Sequence, residues 1–138
     1  MRKLLSLMVT ASILLMASIA VADNTVIFQW DENTETDLAG YRLYQSDTPD
    51  GQVIDGTSFV AEIAPNAHES DPELTGIEAG KDAYRLLNVP DGTLYWVLTA
   101  YDTTGNESGK SNEVSATLDS TPPGAPVILE ITAIVKAP

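Results

Sequence analysis

Few side chains in this sequence could carry out catalytic chemistry. The chain has a single histidine, His68, and no cysteine, so it offers no thiol nucleophile, no thiolate metal site and no disulfide. No serine or cysteine constellation surrounds His68, which we expect to be a solvent-exposed loop residue. The 20 acidic residues include many pairs that a glycosidase could use, but any two would match by chance. These observations predict a protein that is not an enzyme and needs no cofactor.

The chain is strongly acidic, with 20 Asp and Glu against 7 Lys and Arg in 138 residues. We therefore expect no nucleic-acid partner, because phosphate binding needs clustered basic side chains. Hard cations favour groups rich in carboxylate oxygens, but no spaced calcium-loop motif is present. We expect no metal site, and the sequence offers only weak calcium candidates: Asp31, Asp37, Asp102 and Glu107.

Residues 1–22 have the pattern of a secretory signal peptide. Arg2 and Lys3 precede an apolar run over 4–19, and residues 20–22 form a small-x-small cleavage pattern. The alternative is an uncleaved membrane anchor, although the run is short for a span, which needs roughly 20 apolar residues. We expect export to the periplasm, the extracellular space or the cell surface, with no membrane span after cleavage. The five remaining basic residues then face all 20 acidic ones.

Residues 23–118 show the short alternating apolar runs of an all-β antiparallel sandwich. Turn-forming sequences such as those at 49–51 and 90–92 separate the runs. Residues 64–82 are acidic and have no clear period, which predicts an extended loop. Alternation places Trp30 and Trp96 in the core. The predicted strands are 25–30, 41–44, 58–64, 84–89, 94–101 and 113–118.

Two parts of this region resemble bacterial fibronectin type III domains. The segment 30–44 (WDENTETDLAGYRLY) is similar to the family's B strand, BC loop and C strand. The segments 99–108 (TAYDTTGNES) and 111–114 (SNEV) resemble its F strand, FG loop and G strand. The resemblance covers most of 24–118 and is weakest across 45–83. It implies a seven-strand immunoglobulin-like sandwich that serves as a spacer, adhesion or binding module without catalytic residues.

The sequence departs from the family pattern in two places. Strand parity puts Leu94 at the position of the tyrosine that closes the family's E–F corner and puts Tyr95 on the other face, so either the corner is missing or the strand entry is shifted by one residue. The family's first strand, A, has no counterpart, since the predicted cleavage site lies two residues before the B strand. Residues 119–126 instead form a Pro-rich linker, and 127–138 form a predicted C-terminal strand. One face of that strand is apolar: Val127, Leu129, Ile131, Ala133 and Val135.

This C-terminal tail, residues 127–138, has three possible destinations. It could pair antiparallel with its own G strand, stay a disordered stub or contact another protein, or add to the open B edge of a neighbouring molecule. A tail that folds back onto its own B strand would run parallel to it, whereas a tail from another molecule could run antiparallel. Donation of this kind is heterologous and can build head-to-tail filaments.

The outer face of the C–F sheet is the predicted binding surface. Parity places Arg42, Tyr44, Tyr95 and Tyr101 there, and exposed rings could contact a sugar or a protein partner. The alternative is that these side chains pair across strands and stabilise the sheet. The BC, C′–E and FG loops should gather most acidic residues at one pole, opposed only by Lys81 and Lys110. Two functions are expected: an exported binding or adhesion module that contacts a protein or a glycan, or a structural subunit that assembles through its tail.

Overall fold

The computed structural model describes residues 24–127, 129–130 and 132–134, so the predicted leader, 1–22, lies outside the described residues. The predicted antiparallel β-sandwich is confirmed, and the described residues form six strands in two sheets. The loop predicted at 64–82 contains a 3₁₀ turn, η1 (Ala67–Ser70), and ends where β4 begins at Lys81. The strands are β1 (Asn24–Asp31), β2 (Leu38–Ser46), β3 (Ala61–Ile63), β4 (Lys81–Val89), β5 (Gly92–Asp102) and β6 (Val114–Leu118).

One sheet has the order β1-β4 and the other the order β3-β2-β5-β6, and every pair is antiparallel. The two poles of the sandwich follow from these directions. At the upper pole β1 and β5 end, and Thr103 N–H donates to the Asp37 carbonyl at 2.9 Å. At the lower pole β4 and β6 end, and two residues connect β4 to β5. The chain therefore leaves the sandwich at the lower pole.

The core lies between the two sheets and is rich in aromatic rings. Trp96 and Tyr41 are each 1% exposed. The Phe28 and Trp96 rings meet edge to face at 5.4 Å between centroids, and the Trp30 and Tyr41 rings at 5.1 Å. Edge-to-face pairs contribute about 0.5–1.5 kcal/mol beyond the area they bury. Both pairs join β1 to the larger sheet, which confirms the core positions predicted for the two tryptophans.

The corner between β4 and β5 is closed without a tyrosine. Leu94 points inward opposite Ala116, as strand parity predicted. Asp91 Oδ1 accepts hydrogen bonds from Asn24 Nδ2 and from Ser120 N–H, each at 2.8 Å. The bond from Asn24, followed by those from Ser120, lowers the pKa of Asp91 below the usual aspartate value. This carboxylate ties the start of β1 to the segment that follows β6.

The described part of the segment after β6 lies apart from the sheets. Over 119–127, 129–130 and 132–134 no residue belongs to a strand. Val127 and Leu129 are each 96% exposed, and Ile134 is 88% exposed. The predicted strand and its antiparallel pairing with β6 are therefore not found in the described part of the tail. Ile131 and Val135 lie outside the described residues.

No helix in the part of the chain that the structure describes is long and apolar enough to cross a membrane.

A glycine in β2 provides a test of the packing between β2, β3 and β5. A Cβ added at Gly40 would lie 2.6 Å from the Ile63 carbonyl oxygen and 3.0 Å from Tyr101 Oη. We predict that Gly40→Ala lowers the free energy of unfolding by about 1–3 kcal/mol, as overpacking does. Urea denaturation measures the change. Gly109→Ala is the matched control, because a Cβ there meets no atom within 4 Å, and equal effects at the two sites would contradict the packing.

Candidate functional site

The four residues predicted as a binding face lie on the outer side of the β2–β5 pair, as strand parity predicted. Their exposure differs from the expectation. Tyr44 is 0% exposed, so the expectation of an exposed ring is wrong for this residue. The side chain of Arg42 is 16% exposed, while Tyr95 and Tyr101 are partly exposed. The outer face does not present a row of free rings.

The segment 47–60, which we call the covering loop, explains this burial. Its Gly56 N–H donates to Tyr44 Oη at 3.2 Å, and its Phe59 ring meets the Tyr44 ring edge to face at 6.3 Å between centroids. Gln52 of the same loop is 9% exposed and donates to Glu113 at 2.8 Å. The outer face of the sheet is therefore a second packed layer.

Glu107, which follows β5, holds this layer together. Its Oε1 accepts hydrogen bonds from Tyr44 Oη and Thr99 Oγ1, each at 2.6 Å, and its Oε2 accepts one from Arg42 Nη1 at 2.9 Å. The Arg42 guanidinium in turn lies 4.2 Å from the centroid of the Tyr101 ring. Two of the four predicted binding residues thus converge on one carboxylate, and a third, Tyr101, stacks on the Arg42 guanidinium. Tyr95 lies opposite Ser46, toward the other end of β5.

The charge states in this cluster follow from its contacts. Burial acts to raise the pKa of Glu107, but hydrogen bonds from Thr99, Tyr44 and Arg42 outweigh it and hold the pKa below the usual glutamate value. Burial, and then the hydrogen bond to Glu107, raises the pKa of Tyr44 to about 12. For Arg42 burial acts to lower the pKa, and bonds to Glu62 and Glu107 raise it overall. The carboxylate is ionised and the phenol neutral at neutral pH.

The weak calcium candidates do not form a cation site. Asp31 pairs with Lys81, and Glu107 is engaged by the three donors already described. Asp102 accepts hydrogen bonds from Asn106 and Thr104, which lower its pKa to about 2. Among the residues that the structure describes, no group of three or more His, Asp or Glu side chains is placed to hold a metal ion, and this includes Asp37.

Two further side chains lie elsewhere than the sequence predicted. Lys110 pairs with Asp50 of the covering loop at 2.8 Å, so it does not oppose the acidic pole. His68 is not solvent-exposed, since its side chain is 15% exposed and its Nδ1 lies 2.7 Å from Asp82 Oδ1. Asp82 is 1% exposed and also accepts the Asn66 N–H at 2.8 Å. This pair fixes η1 against β4.

The outer edge of β4 is consequently protected. Besides the His68 contact, Arg85 of β4 makes two hydrogen bonds to Asp71, each at 3.0 Å. Leu74 of the same connecting segment is 8% exposed. Proteins often cover a sheet edge in this way because an unpaired edge attracts other strands.

The opposite edge of the small sheet is open. A groove separates β1 from β6. Its volume is about 290 Å³, about twice that of the roughly 150 Å³ cavity that can hold benzene. We call it the edge groove. Its apolar lining comes from both sheets: Val26, Ile27, Phe28, Trp30, Leu43, Trp96, Val97, Leu98, Val114 and Ala116.

Several side chains in the edge groove face inward without being buried. Val26, Phe28 and Trp30 pack against the core from β1 but are only partly buried. Val114 lies opposite Trp96, which points into the core, and yet is 46% exposed. Within the described residues β1 pairs only with β4, so no strand covers these positions.

The backbone of β1 is also available along this edge. Glu32 N–H donates to the Gly80 carbonyl at 3.1 Å, which continues the β1–β4 ladder. Hydrogen-bonded pairs alternate along an antiparallel ladder, so the even-numbered residues of β1 direct their amides toward β4. Thr25, Ile27 and Gln29 then direct their N–H and C=O groups toward the edge groove.

Sequence reasoning identified the open edge but missed the covering loop. The open edge follows from the lack of a predicted strand before β1. The covering loop has no regular alternation, and its apolar residues, Val53, Ile54, Phe59 and Val60, do not by themselves predict that it packs on the outer face. Comparison of the chain with family models, with curated proteins and with solved structures found no match. The proposal below therefore rests on geometry and residue chemistry.

The Glu107 cluster predicts a specific pattern of destabilisation. Glu107→Gln should lower the free energy of unfolding by about 3 kcal/mol, because it leaves Arg42 without its buried partner. Glu62→Gln is the matched control, since Glu62 pairs with the same arginine but its side chain is 46% exposed, and it should cost less than about 1 kcal/mol. Urea denaturation at neutral pH compares them. Similar losses would show that Glu107 does not organise the outer face.

The cluster also predicts a dependence on alkaline pH. The folded pKa of Tyr44 is raised to about 12, so its contribution to stability is complete below its unfolded pKa of about 10 and is lost as the pH rises through 12. Burial also raises the pKa of Tyr101, so ultraviolet difference spectroscopy should show Tyr44 as a separate late step, about two pH units above an exposed tyrosine. Tyr44→Phe should remove that late step. A titration in which all tyrosines ionise together near pH 10 would refute the burial.

Proposed function

We propose that this chain is an exported, non-enzymatic binding module of the fibronectin type III class that accepts an extended polypeptide segment in its edge groove. The sheet order supports the class, because immunoglobulin-like sandwiches pair B with E and C with F and G. The signal-peptide pattern of residues 1–22 supports export.

The observation that carries the proposal is an open backbone edge beside uncovered core side chains. An added strand would hydrogen-bond with the free groups of β1, and its inward side chains would cover Val114 and the half-buried face of β1. This is recognition by β-strand addition, in which the backbone supplies affinity and alternate side chains supply specificity. The covered edge of β4 leaves β1 as the strand of the small sheet that is open to such a partner.

The energetics favour an apolar segment. Ordering a strand costs about 1–2 kcal/mol for each residue, and each new hydrogen bond contributes about 0.5–1.5 kcal/mol. Backbone pairing alone therefore does not stabilise the complex. Burial of an aliphatic side chain contributes about 1.5–3 kcal/mol, so every second residue of the segment must be apolar for the balance to favour binding.

The outer face of the β2–β5 pair gives weaker support for a glycan or protein contact. Tyr44 is buried, and Arg42 and Tyr101 are stacked on each other at 4.2 Å. Tyr95 alone of the predicted group stands apart from this cluster. The edge groove therefore carries the proposal, and the partner it favours is a polypeptide.

Tryptophan fluorescence tests the proposal directly. The two tryptophans of the chain, Trp30 and Trp96, both line the edge groove. A peptide of about ten residues that alternates valine and threonine, with a lysine at each end, should give a saturable blue shift as it excludes water. A peptide of the same composition with its valines consecutive should bind about tenfold more weakly or worse.

Two variants locate the binding. Val114→Lys places a charge in the groove at a residue that is 46% exposed, so the fold should tolerate it while peptide binding is lost. Val53→Lys changes an apolar residue of the covering loop that is 63% exposed, and it should bind like the wild type. Binding that persists unchanged in Val114→Lys, or no binding either in the wild type or in the chain that lacks residues 127–138, would overturn the proposed function.

A further inference from the structure

We infer that the segment which occupies the edge groove is the C-terminal tail of a second copy of this chain, donated head to tail. The inference rests on the proposed function, since it names the partner of the same groove. The tail has the required pattern, because every second residue from 127 to 135 is apolar. This alternating part, 127–135, is nine residues long, close to the eight of β1.

The tail is unpartnered in its own molecule over the described residues. Val127 and Leu129, which belong to the apolar face, are each 96% exposed. No described residue of the same molecule adds a strand over the edge groove. Exposure of these apolar side chains to water costs free energy, which burial in a groove would recover. Over the described residues, one copy therefore contains a donor strand and an acceptor groove that do not contact each other.

The exit direction of the chain explains why they do not meet. Ser120 is bonded to Asp91 at the lower pole, next to the start of β1. To enter its own groove the tail would have to reverse direction within the linker 121–126. That linker contains Pro122, Pro123 and Pro126, and proline-rich segments favour extended backbone over reversal.

A second copy accepts the tail without reversal. An extended linker of six residues spans roughly 19 Å at about 3.1 Å per residue, which is enough to leave the lower pole of one copy. Continuing in the direction of β6, the tail enters the next copy at its upper pole and runs antiparallel to β1. The contact is heterologous, so the copies at the two ends of a chain of molecules keep a free groove and a free tail, and the assembly grows unless the rotation between copies closes it into a ring.

Repulsion between the acidic residues of the two poles opposes this contact. The dependence of assembly on salt concentration therefore tests the contact. The lower pole carries Asp91 and Asp119, and the upper pole carries Asp31, Glu32 and Asp37. Like charges repel less as salt shortens the screening length from about 30 Å at 0.01 M to about 8 Å at 0.15 M. Assembly through the tail should therefore strengthen with salt, whereas a contact driven by opposite charges would weaken.

Two variants of the chain that begins at residue 23 test the inference by complementation. Val114→Lys keeps the tail and blocks the groove, and deletion of 127–138 keeps the groove and removes the tail. We expect the wild type to form larger species as concentration and salt rise. Each variant alone should stay monomeric by light scattering, and their equimolar mixture should form a one-to-one heterodimer. Val53→Lys in place of Val114→Lys should assemble like the wild type.

The outcomes separate this inference from the proposed function. If the wild type binds the valine–threonine peptide but the two variants form no heterodimer, the groove accepts strands and the tail is not its partner. If neither peptide nor tail binds, both proposals fail. If the wild type is a monomer whose groove opens to peptide only after the tail is deleted, the tail binds in its own molecule and head-to-tail donation is wrong.

Cysteine cross-linking tests the direction, since the chain contains no cysteine of its own. Single variants Thr25→Cys and Gln29→Cys on β1 are each mixed with Glu130→Cys or Ile134→Cys on the tail. Disulfide-linked heterodimers report contact between copies, because each copy carries one thiol. Antiparallel donation should favour the pairs 25–134 and 29–130, whatever the exact register.

A parallel arrangement would favour the other two pairs, 25–130 and 29–134, and would refute the head-to-tail geometry. Leu87→Cys on β4 is the control for accessibility. Leu87 is 50% exposed, close to the 56% of Ile27, which lies between positions 25 and 29 on the same face of β1. It should cross-link at least about tenfold more slowly with either tail variant. Equal rates would show that the tail contacts exposed surfaces without selecting the β1 edge.

Discussion

The contact between the two sheets is the constraint on which the structure depends. A two-stranded sheet is at best marginally stable alone, and β1 and β4 form such a sheet in a chain without cysteine. The Phe28–Trp96 and Trp30–Tyr41 ring pairs join it to the larger sheet. Phe28, Trp30 and Trp96 also line the edge groove. Of these rings, Phe28 and Trp30 are only partly buried, so a strand added at this edge would cover rings that also hold the two sheets together.

The larger sheet is packed on both of its faces, and this packing supports an edge as the proposed binding site. On the inner side Trp96 is 1% exposed, and on the outer side Tyr44 is 0% exposed. Burial of the Glu107 carboxylate costs desolvation free energy, which its three hydrogen-bond donors and the Arg42 charge offset. The aromatic and charged side chains of this face pair with one another, so few of them are available to contact a partner. The backbone edge of β1 has no such internal use.

Much of the fold could be predicted because alternation is a local property of the sequence. The inward positions of Leu94, Trp96 and Leu98 follow from parity within one strand. The burial of Tyr44 does not, because it depends on the covering loop and on Glu107, which is 63 residues away in the sequence. The start of β4 was missed for a related reason. Lys81 and Asp82 have loop-like side chains, and they belong to the strand because Asp31 and Trp30 pair with them. Partners distant in sequence decided both positions.

The open edge raises the question of why such a protein would not aggregate. Sheet edges are usually blunted by lysine, by proline or by a covering segment. The β4 edge has its cover, whereas β1 (Asn24–Asp31) contains neither lysine nor proline. The excess of acidic over basic residues supplies a different protection, because repulsion between whole molecules acts at long range and a strand contact acts only at close range. A strand with a suitable apolar pattern can overcome that repulsion, and one without it cannot. If the edge binds a strand as proposed, the charge of the chain would act as a threshold that only a strand with a suitable apolar pattern exceeds.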